Sequence, residues 1–159
     1  MANLVELSFS DTFAIPLADA YSGLIPIPLN ELFNKRFGPI PPIRGVEGQD
    51  GDWGTVGQTR TIRMADGNSM REELTHADPP NAFGYTITEV TGPLKPLAAR
   101  VEGMWTFEAA GTGTRITWRW RVQPASPLVR PLMPVFGWLW RGNARQGFRR
   151  IGELLAAGN

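Results

Sequence analysis

The sequence contains no cysteine and only one histidine, and these absences exclude several kinds of chemistry. Without cysteine the chain has no disulfide, no thiol nucleophile and no thiolate ligand for a metal. The single histidine, His76, cannot assemble a zinc site, and no group of carboxylates has the spacing of metal ligands. The glycine of MADGNS belongs to a hairpin turn rather than to a phosphate-binding loop. We therefore expect neither a metal ion nor a cofactor.

Long hydrophobic runs are absent as well. The longest apolar stretch, PVFGWLW at positions 134–140, is far shorter than the ~20 residues of a membrane-spanning helix. The opening residues MANLVELSFSD have neither the basic region nor the long apolar core of a signal peptide. We expect a cytoplasmic protein with no membrane span.

The composition indicates a globular protein. The 159 residues are 42% hydrophobic and 19% charged, which separates the chain from disordered sequences of high net charge. No internal repeat, linker or low-complexity segment interrupts it. We therefore expect one domain over positions 1–159, long enough to bury a sizeable core.

The net charge of +1 hides an uneven distribution of charge along the chain. Positions 113–159 carry eight arginines and one acid, Glu153, whereas the remaining positions carry eight basic and fourteen acidic residues. Three of these arginines, Arg141, Arg145 and Arg149, recur at four-residue spacing. Such a stripe either binds nucleic acid or an anionic membrane, or is a solvated helix face balanced by acids elsewhere in the fold. The balanced face is the interpretation that we favour, so we do not expect nucleic acid or a membrane surface as partners.

Alternation of apolar and polar residues predicts a sheet. In the first predicted strand, Val5, Leu7 and Phe9 occupy alternate positions and therefore share one face. An Asp-Gly turn joins TVGQTRTIRM to SMREELTHA, and DPPN leads on to AFGYTITEV. A second pair, AARVEGMWTFEA and TRITWRWRV, flanks AGTG. With a weaker strand before Asp50, the pattern predicts one N-terminal strand and about six further antiparallel strands.

Three segments are predicted to be helical. LADAYSGL follows Pro16, which suits a helix start because its missing N–H is not needed there. PLNELFNKRF is a second short helix with Leu29, Leu32 and Phe33 on one face, ended by Gly38 and a cluster of prolines. Near the C-terminus, apolar residues at spacings of three and four predict a long amphipathic helix over positions 134–156.

This order of elements is an α+β layout, in which a curved antiparallel sheet of about seven strands wraps around the long C-terminal helix. Four segments carry a resemblance to a known fold: IPLADAYSGLIPIPLNELF, RTIRMADGNSMREELTHADPPNAFGYTITE, ARVEGMWTFEAAGTGTRITWRWRV and the arginine-rich final helix. Together they resemble the helix-grip fold of the START-like (SRPBCC) superfamily over nearly the whole chain, with the bacterial polyketide cyclase/dehydrase-type members most similar. The resemblance implies a cavity between sheet and helix, but no catalytic motif shared by the superfamily.

Strand parity predicts which side chains face that cavity. In TRITWRWRV, Trp118 and Trp120 share one face and the arginines share the other. Burying a tryptophan contributes roughly 4–6 kcal/mol, whereas a surface ion pair contributes ~0–1 kcal/mol. The tryptophans are therefore expected to face inward and the arginines outward, where Glu102 can pair with Arg119 or Arg121. This orientation argues against the alternative that alternating arginine and tryptophan bind single-stranded nucleic acid.

The hairpin strands add polar groups to the same cavity. Parity places Arg60, Glu72, His76 and Tyr85 on the inner face, and Arg60 and Glu72 are expected to pair because a buried charge is costly alone. His76 is alternatively a solvated residue at the strand end. The remaining lining is expected from Ile62, Met64, Leu74, Phe83, Trp105, Phe107, Trp118, Trp120, Phe136 and Trp140. These side chains either fill the core or line a pocket for a flat or long apolar ligand.

Three functions are compatible with this pattern. The first is binding of a small hydrophobic or aromatic ligand, lipid-like or polyketide-like. The second is a polyketide cyclase or dehydratase without a cofactor, with Glu72 or His76 as general acid/base and Tyr85 or Arg60 holding a developing enolate or carbonyl oxygen. The third is an interaction module for an anionic surface. The glycine-rich loop at positions 44–57 can gate the cavity, with Trp53 either a lid or statically packed.

Overall fold

The computed structural model describes residues 4–157 and has the expected α+β layout. The strands are β1 (Val5–Phe13), β2 (Ile43–Glu47), β3 (Thr59–Met64), β4 (Ser69–Asp78), β5 (Ala82–Thr88), β6 (Arg100–Ala110) and β7 (Gly113–Gln123). The helices are α1 (Leu17–Leu24), α2 (Leu29–Leu32) and α3 (Met133–Ala157). Two 3₁₀ turns, Gly92–Leu94 and Pro127–Leu132, complete the set.

All seven strands form one antiparallel sheet in the order β1-β7-β6-β5-β4-β3-β2. The N-terminal strand β1 forms one edge of the sheet and pairs with the last strand, β7. Leu7 lies opposite Trp120, and Phe9 lies opposite Trp118. Each alternate residue of β7 is buried, and the arginines between them are exposed, as parity predicted. On the outer face Arg121 lies 3.5 Å from Glu102 and 3.6 Å from Glu6, which confirms the expected cross-strand ion pair.

The long helix α3 packs on the inner face of the sheet through its apolar stripe. Phe136, Trp140, Phe148 and Ile151 are buried there, because their spacing of three and four places them on one side of the helix. The Phe148 ring meets Phe9 edge-on at 4.8 Å between centroids. This contact holds the middle of α3 against the edge of the sheet where β1 lies.

The second helix is shorter than the sequence predicted. It ends at Leu32, whereas the apolar pattern extended to Phe37. The carbonyl oxygen of Phe33 accepts a hydrogen bond of 2.8 Å from the Ile43 amide, so it is engaged by the start of β2. The Phe33 ring also packs on Trp118 at 5.1 Å between centroids. Tertiary pairing and burial therefore outweigh the local preference for helix at this point.

Candidate ligand-binding cavity

A cavity of about 210 Å³ lies between the inner face of the sheet and α3. Its boundary also includes α1, α2 and the segments that follow them, through residues such as Leu24 and Leu32. Most of the side chains expected at the cavity, from strand parity and from the C-terminal helix, do line it: Arg60, Ile62, Met64, Glu72, Phe83, Tyr85, Trp105, Trp118, Trp120, Phe136 and Trp140. The strand pattern therefore located the cavity wall correctly.

Stacked aromatic rings form one wall of the cavity. Trp105 and Trp118 are nearly parallel, with 5.2 Å between ring centroids and 11° between planes. Trp140 of α3 lies on Trp118 at 4.6 Å, so a ring from the helix continues the layer that the sheet begins. The same rings thus pack on one another and also line the cavity. A wall of this kind is apolar and rich in aromatic rings, as small-molecule sites usually are.

The hydroxyl of Tyr85 is the central polar group of this wall. Its oxygen accepts hydrogen bonds from the indole nitrogens of both Trp118 and Trp120, each at 2.8 Å. Tyr85 lies on β5 and the two tryptophans on β7, so its ring crosses β6 above Gly103. A Cβ atom at Gly103 would overlap the Tyr85 ring, which explains why the strand has a glycine there. That glycine was the sequence signal for the close approach.

The two indoles fix the direction of the Tyr85 hydroxyl. A phenol has one donor and two acceptor positions, and both acceptor positions are filled. Burial, with the negative charge of Glu72 second, raises the pKa of Tyr85, so the group keeps its proton at neutral pH. None of the hydrogen bonds among residues 4–157 uses that proton. Tyr85 is therefore a neutral, oriented donor on the cavity wall.

Arg60 and Glu72 form a buried ion pair beside Tyr85. The Arg60 Nε donates to Glu72 Oε1 at 2.6 Å, on paired positions of β3 and β4. Burial raises the pKa of Glu72, although the charge and hydrogen bond of Arg60 act in the opposite direction. The guanidinium also donates to Gln49 Oε1 at 2.9 Å and lies 3.8 Å from the centre of the Trp53 ring. Arg60 is thus held on three sides.

The loop before β3 is packed rather than open. Trp53 is buried against Arg60, and Gln49 binds the same guanidinium, two contacts that the sequence did not identify. The Gln58 side chain holds the loop by accepting from the Gly54 and Thr55 amides and donating to the carbonyls of Asp50 and Asp52. In this structure Trp53 is therefore a buried part of the cavity wall.

Of the two alternatives for His76, the structure supports the solvated one, and the placement of this residue on the inner face is wrong. A β-bulge at Thr75 interrupts β4, since Leu74 is opposite Tyr85 but His76 is opposite the next residue, Gly84. One extra residue reverses the parity, and His76 is exposed to solvent. The only available signal was Gly84, because a glycine within a strand often accompanies a bulge.

Two further lining predictions are wrong, for a different reason. Leu74 is fully buried, but it does not reach the cavity. Phe107 packs on Tyr21 of α1 at 5.2 Å and on Phe83 at 6.0 Å between ring centroids. Both side chains have the predicted inward orientation and belong to the filled part of the core, beyond the end of the cavity.

Within residues 4–157, no three His, Asp or Glu side chains are grouped so that they could hold a metal ion. No helix in the same range is both long enough and apolar enough to cross a membrane.

Comparisons with known proteins agree on one fold. Residues 36–156 match a family model described as polyketide cyclase/dehydrase and lipid transport. Among curated proteins, none is significantly similar to this sequence. The solved structure of MLL2253 from Mesorhizobium loti is 15% identical, with a TM-score of 0.69 and 98% and 99% of the two chains covered.

Two further solved structures have similar folds. Ara h 8.0201 is 16% identical, with a TM-score of 0.68 over 98% of this chain and 99% of its own. Major latex-like protein 151 from Panax ginseng is 18% identical, with a TM-score of 0.66 over 94% and 96% of the two chains. At such low identity these structures establish the helix-grip fold and no activity.

Proposed function

The chain belongs to the polyketide cyclase/dehydrase and lipid transport family. From this premise we propose that it binds a planar, largely apolar molecule with an oxygen atom that accepts a hydrogen bond. The ligand lies in the cavity between the sheet and α3. The observation that carries the proposal is the Tyr85 hydroxyl, whose acceptor positions are filled by Trp118 and Trp120 and whose proton remains available. A carbonyl or hydroxyl oxygen of the ligand accepts a hydrogen bond from the Tyr85 hydroxyl.

The shape and polarity of the wall support the same class of ligand. Trp105, Trp118 and Trp140 line the cavity, and an apolar lining rich in aromatic rings favours an apolar aromatic ligand. Few polar groups interrupt them, which is the usual composition of a small-molecule site. Arg60 is neutralised by Glu72, so the cavity has no uncompensated positive charge to attract an acidic head group. These features favour a neutral aromatic ketone or phenol over a fatty acid.

The experiment uses 2-acetylnaphthalene, a small planar ketone, titrated against the protein by calorimetry. We expect saturable binding that weakens at least about tenfold in Ile62→Phe, since this side chain lines the cavity and its enlargement fills part of it. The matched control is Val56→Phe, at an exposed position outside the cavity, which should leave the affinity unchanged. Absence of saturable binding to the folded protein, or equal loss in both variants, would overturn the proposal.

A second candidate function rests on Glu72. Its carboxyl is buried beside Tyr85, and its pKa is raised by burial, which is the environment of a general base that works near neutral pH. Among the described residues Arg60 binds only its Oε1 atom. In a cyclisation, Glu72 removes a proton from the carbon next to a ketone, and Tyr85 donates to the developing enolate oxygen.

This second function is tested with a linear poly-β-keto thioester. Glu72→Gln should lower kcat by about 10²–10⁴ while changing ligand affinity less than about tenfold. His76→Ala should have no effect, because His76 is exposed outside the cavity. If the wild-type chain does not convert the thioester although it binds 2-acetylnaphthalene, the binding function stands alone.

A further inference from the structure

Exposed apolar side chains cluster at the start of α3 and in the 3₁₀ turn before it. Leu128, Leu132, Val135 and Trp138 are 88%, 53%, 59% and 67% exposed. We call these four side chains the apolar patch. Among the described residues only one other large apolar side chain, Val56, is comparably exposed, and it lies in the loop before β3. A grouped set of exposed apolar residues indicates an interaction surface, whereas a single one does not.

Basic residues continue the same face of α3. At about 100° per residue, Val135, Trp138 and the stripe formed by Arg141, Arg145 and Arg149 fall within about 120° of the helix circumference. All three arginines are exposed. Within residues 4–157 no carboxylate lies at salt-bridge distance from any of them, and the only acid of α3, Glu153, pairs with Arg150. The expected balancing acids are therefore not in contact with the stripe.

The apolar patch lies beside the cavity. Leu139, the neighbour of Trp138, lines the cavity wall. The Trp138 ring packs on Phe37 at 6.0 Å between centroids, and the loop that follows Phe37 contributes Pro39 and Ile40 to the same cavity. A partner on the apolar patch would therefore lie next to residues that line the cavity.

We propose that the apolar patch and the arginine stripe together dock on an anionic lipid bilayer. Leucine, valine and tryptophan enter the boundary between head groups and acyl chains, and the arginines bind lipid phosphates at the same depth. A second copy of the chain is disfavoured, since two such faces would oppose like charges. Nucleic acid is disfavoured because exposed leucine and valine offer nothing to a phosphate backbone. Docking there places the membrane next to residues that line the cavity.

Trp138 supplies a specific signal for this proposal. The chain has six tryptophans, and the other five are buried, so an aqueous quencher such as iodide reaches mainly Trp138. Vesicles of phosphatidylcholine with phosphatidylglycerol should protect it from iodide and shift its emission to shorter wavelength. Vesicles of phosphatidylcholine alone should do so much less, and added salt should weaken the effect because it screens the arginines.

Paired variants separate the two parts of the surface. Arg141→Gln with Arg145→Gln should weaken sedimentation with the anionic vesicles by on the order of twentyfold, at about fivefold for each arginine near a charged membrane. The control, Arg115→Gln with Arg119→Gln, removes the same charge from the outer face of β7 and should change binding less than about threefold. Trp138→Ala should weaken it by about tenfold, and Val56→Ala should have no effect.

Three results would overturn the proposal. These are no binding to anionic vesicles, equal loss in the control pair, or tighter binding to RNA that depends on the arginines but not on Trp138. The vesicles contain no planar aromatic ketone, so the outcome is independent of the proposed binding of 2-acetylnaphthalene. Ile62→Phe, which fills part of the cavity, should retain vesicle binding if the surface docks and should lose it if a lipid is captured in the cavity.

Discussion

The ring of Tyr85 lies directly over the backbone of Gly103, where any Cβ atom would overlap it. This contact lets Tyr85 on β5 reach across β6 to the two indoles on β7. The position of the hydroxyl in the cavity therefore depends on the absence of a side chain in the strand between.

The first prediction concerns Gly103→Ala. The new methyl group should displace the Tyr85 ring, lower the free energy of unfolding by about 1–3 kcal/mol and weaken binding of 2-acetylnaphthalene. Gly45→Ala is the matched control, because nothing lies within 4 Å of a Cβ built at Gly45, also on a strand. Urea unfolding and calorimetry measure the two effects. Equal behaviour of the two variants would show that the Tyr85 ring moves aside freely.

The second prediction concerns the pair formed by Arg60 and Glu72. Arg60→Met leaves a buried carboxylate without its partner and should destabilise the protein by about 3–5 kcal/mol at neutral pH. The double variant Arg60→Met with Glu72→Leu should recover much of this loss, since no charge then remains buried. A double-mutant cycle on unfolding free energies gives the coupling. Additive losses would mean that the two side chains do not depend on each other.

The third prediction concerns the pH dependence of stability. Burial raises the pKa of Glu72 above its ordinary value of 4.5, so the folded state binds this proton more tightly than the unfolded state does. The contribution of this proton to the free energy of unfolding is therefore complete at pH values below 4.5. It is lost as pH rises through the raised pKa of Glu72 in the folded state. Glu72→Gln does not titrate. The unfolding free energy of the wild type minus that of Glu72→Gln should fall as pH rises above the ordinary value of 4.5.

Other carboxyl groups cancel in that difference, because both proteins contain them. A difference that increases with pH would show that the attraction of Arg60 outweighs burial and lowers the pKa of Glu72.

The fourth prediction concerns His76. Because its side chain is exposed beyond the bulge at Thr75, His76→Ala should change stability by no more than about 0.5 kcal/mol. Binding of 2-acetylnaphthalene should be unchanged, as calorimetry can measure. A loss of affinity comparable to that of Ile62→Phe would place His76 at the cavity after all.

The sequence predicted those parts of the fold in which burial and local pattern agree. The strict alternation of β7 oriented Trp118 and Trp120 correctly, because the free energy of burying two indoles exceeds any surface contribution from the arginines between them. The same argument identified the partners Arg60 and Glu72, since two buried charges on paired strands need each other.

The errors lie where a single residue or a tertiary contact overrides the pattern. The bulge at Thr75 turns the His76 side chain to the outer face of the sheet, although nothing in the residue pattern of β4 marks the extra residue. The short α2 ends where the carbonyl of Phe33 bonds to Ile43, a partner ten positions away. The contact of Trp53 with Arg60 depends on how the loop folds, which the side chain of Gln58 determines through four hydrogen bonds.

The central claim is that the Tyr85 hydroxyl donates to an oxygen of the bound ligand. The infrared stretching band of the carbonyl in ¹³C-labelled 2-acetylnaphthalene tests this most directly, because a hydrogen bond to the oxygen lowers its frequency. In complex with the wild-type protein, the band should lie below its position in a hydrocarbon solvent, and in Tyr85→Phe it should move back towards that position. An identical band in both complexes would contradict the account.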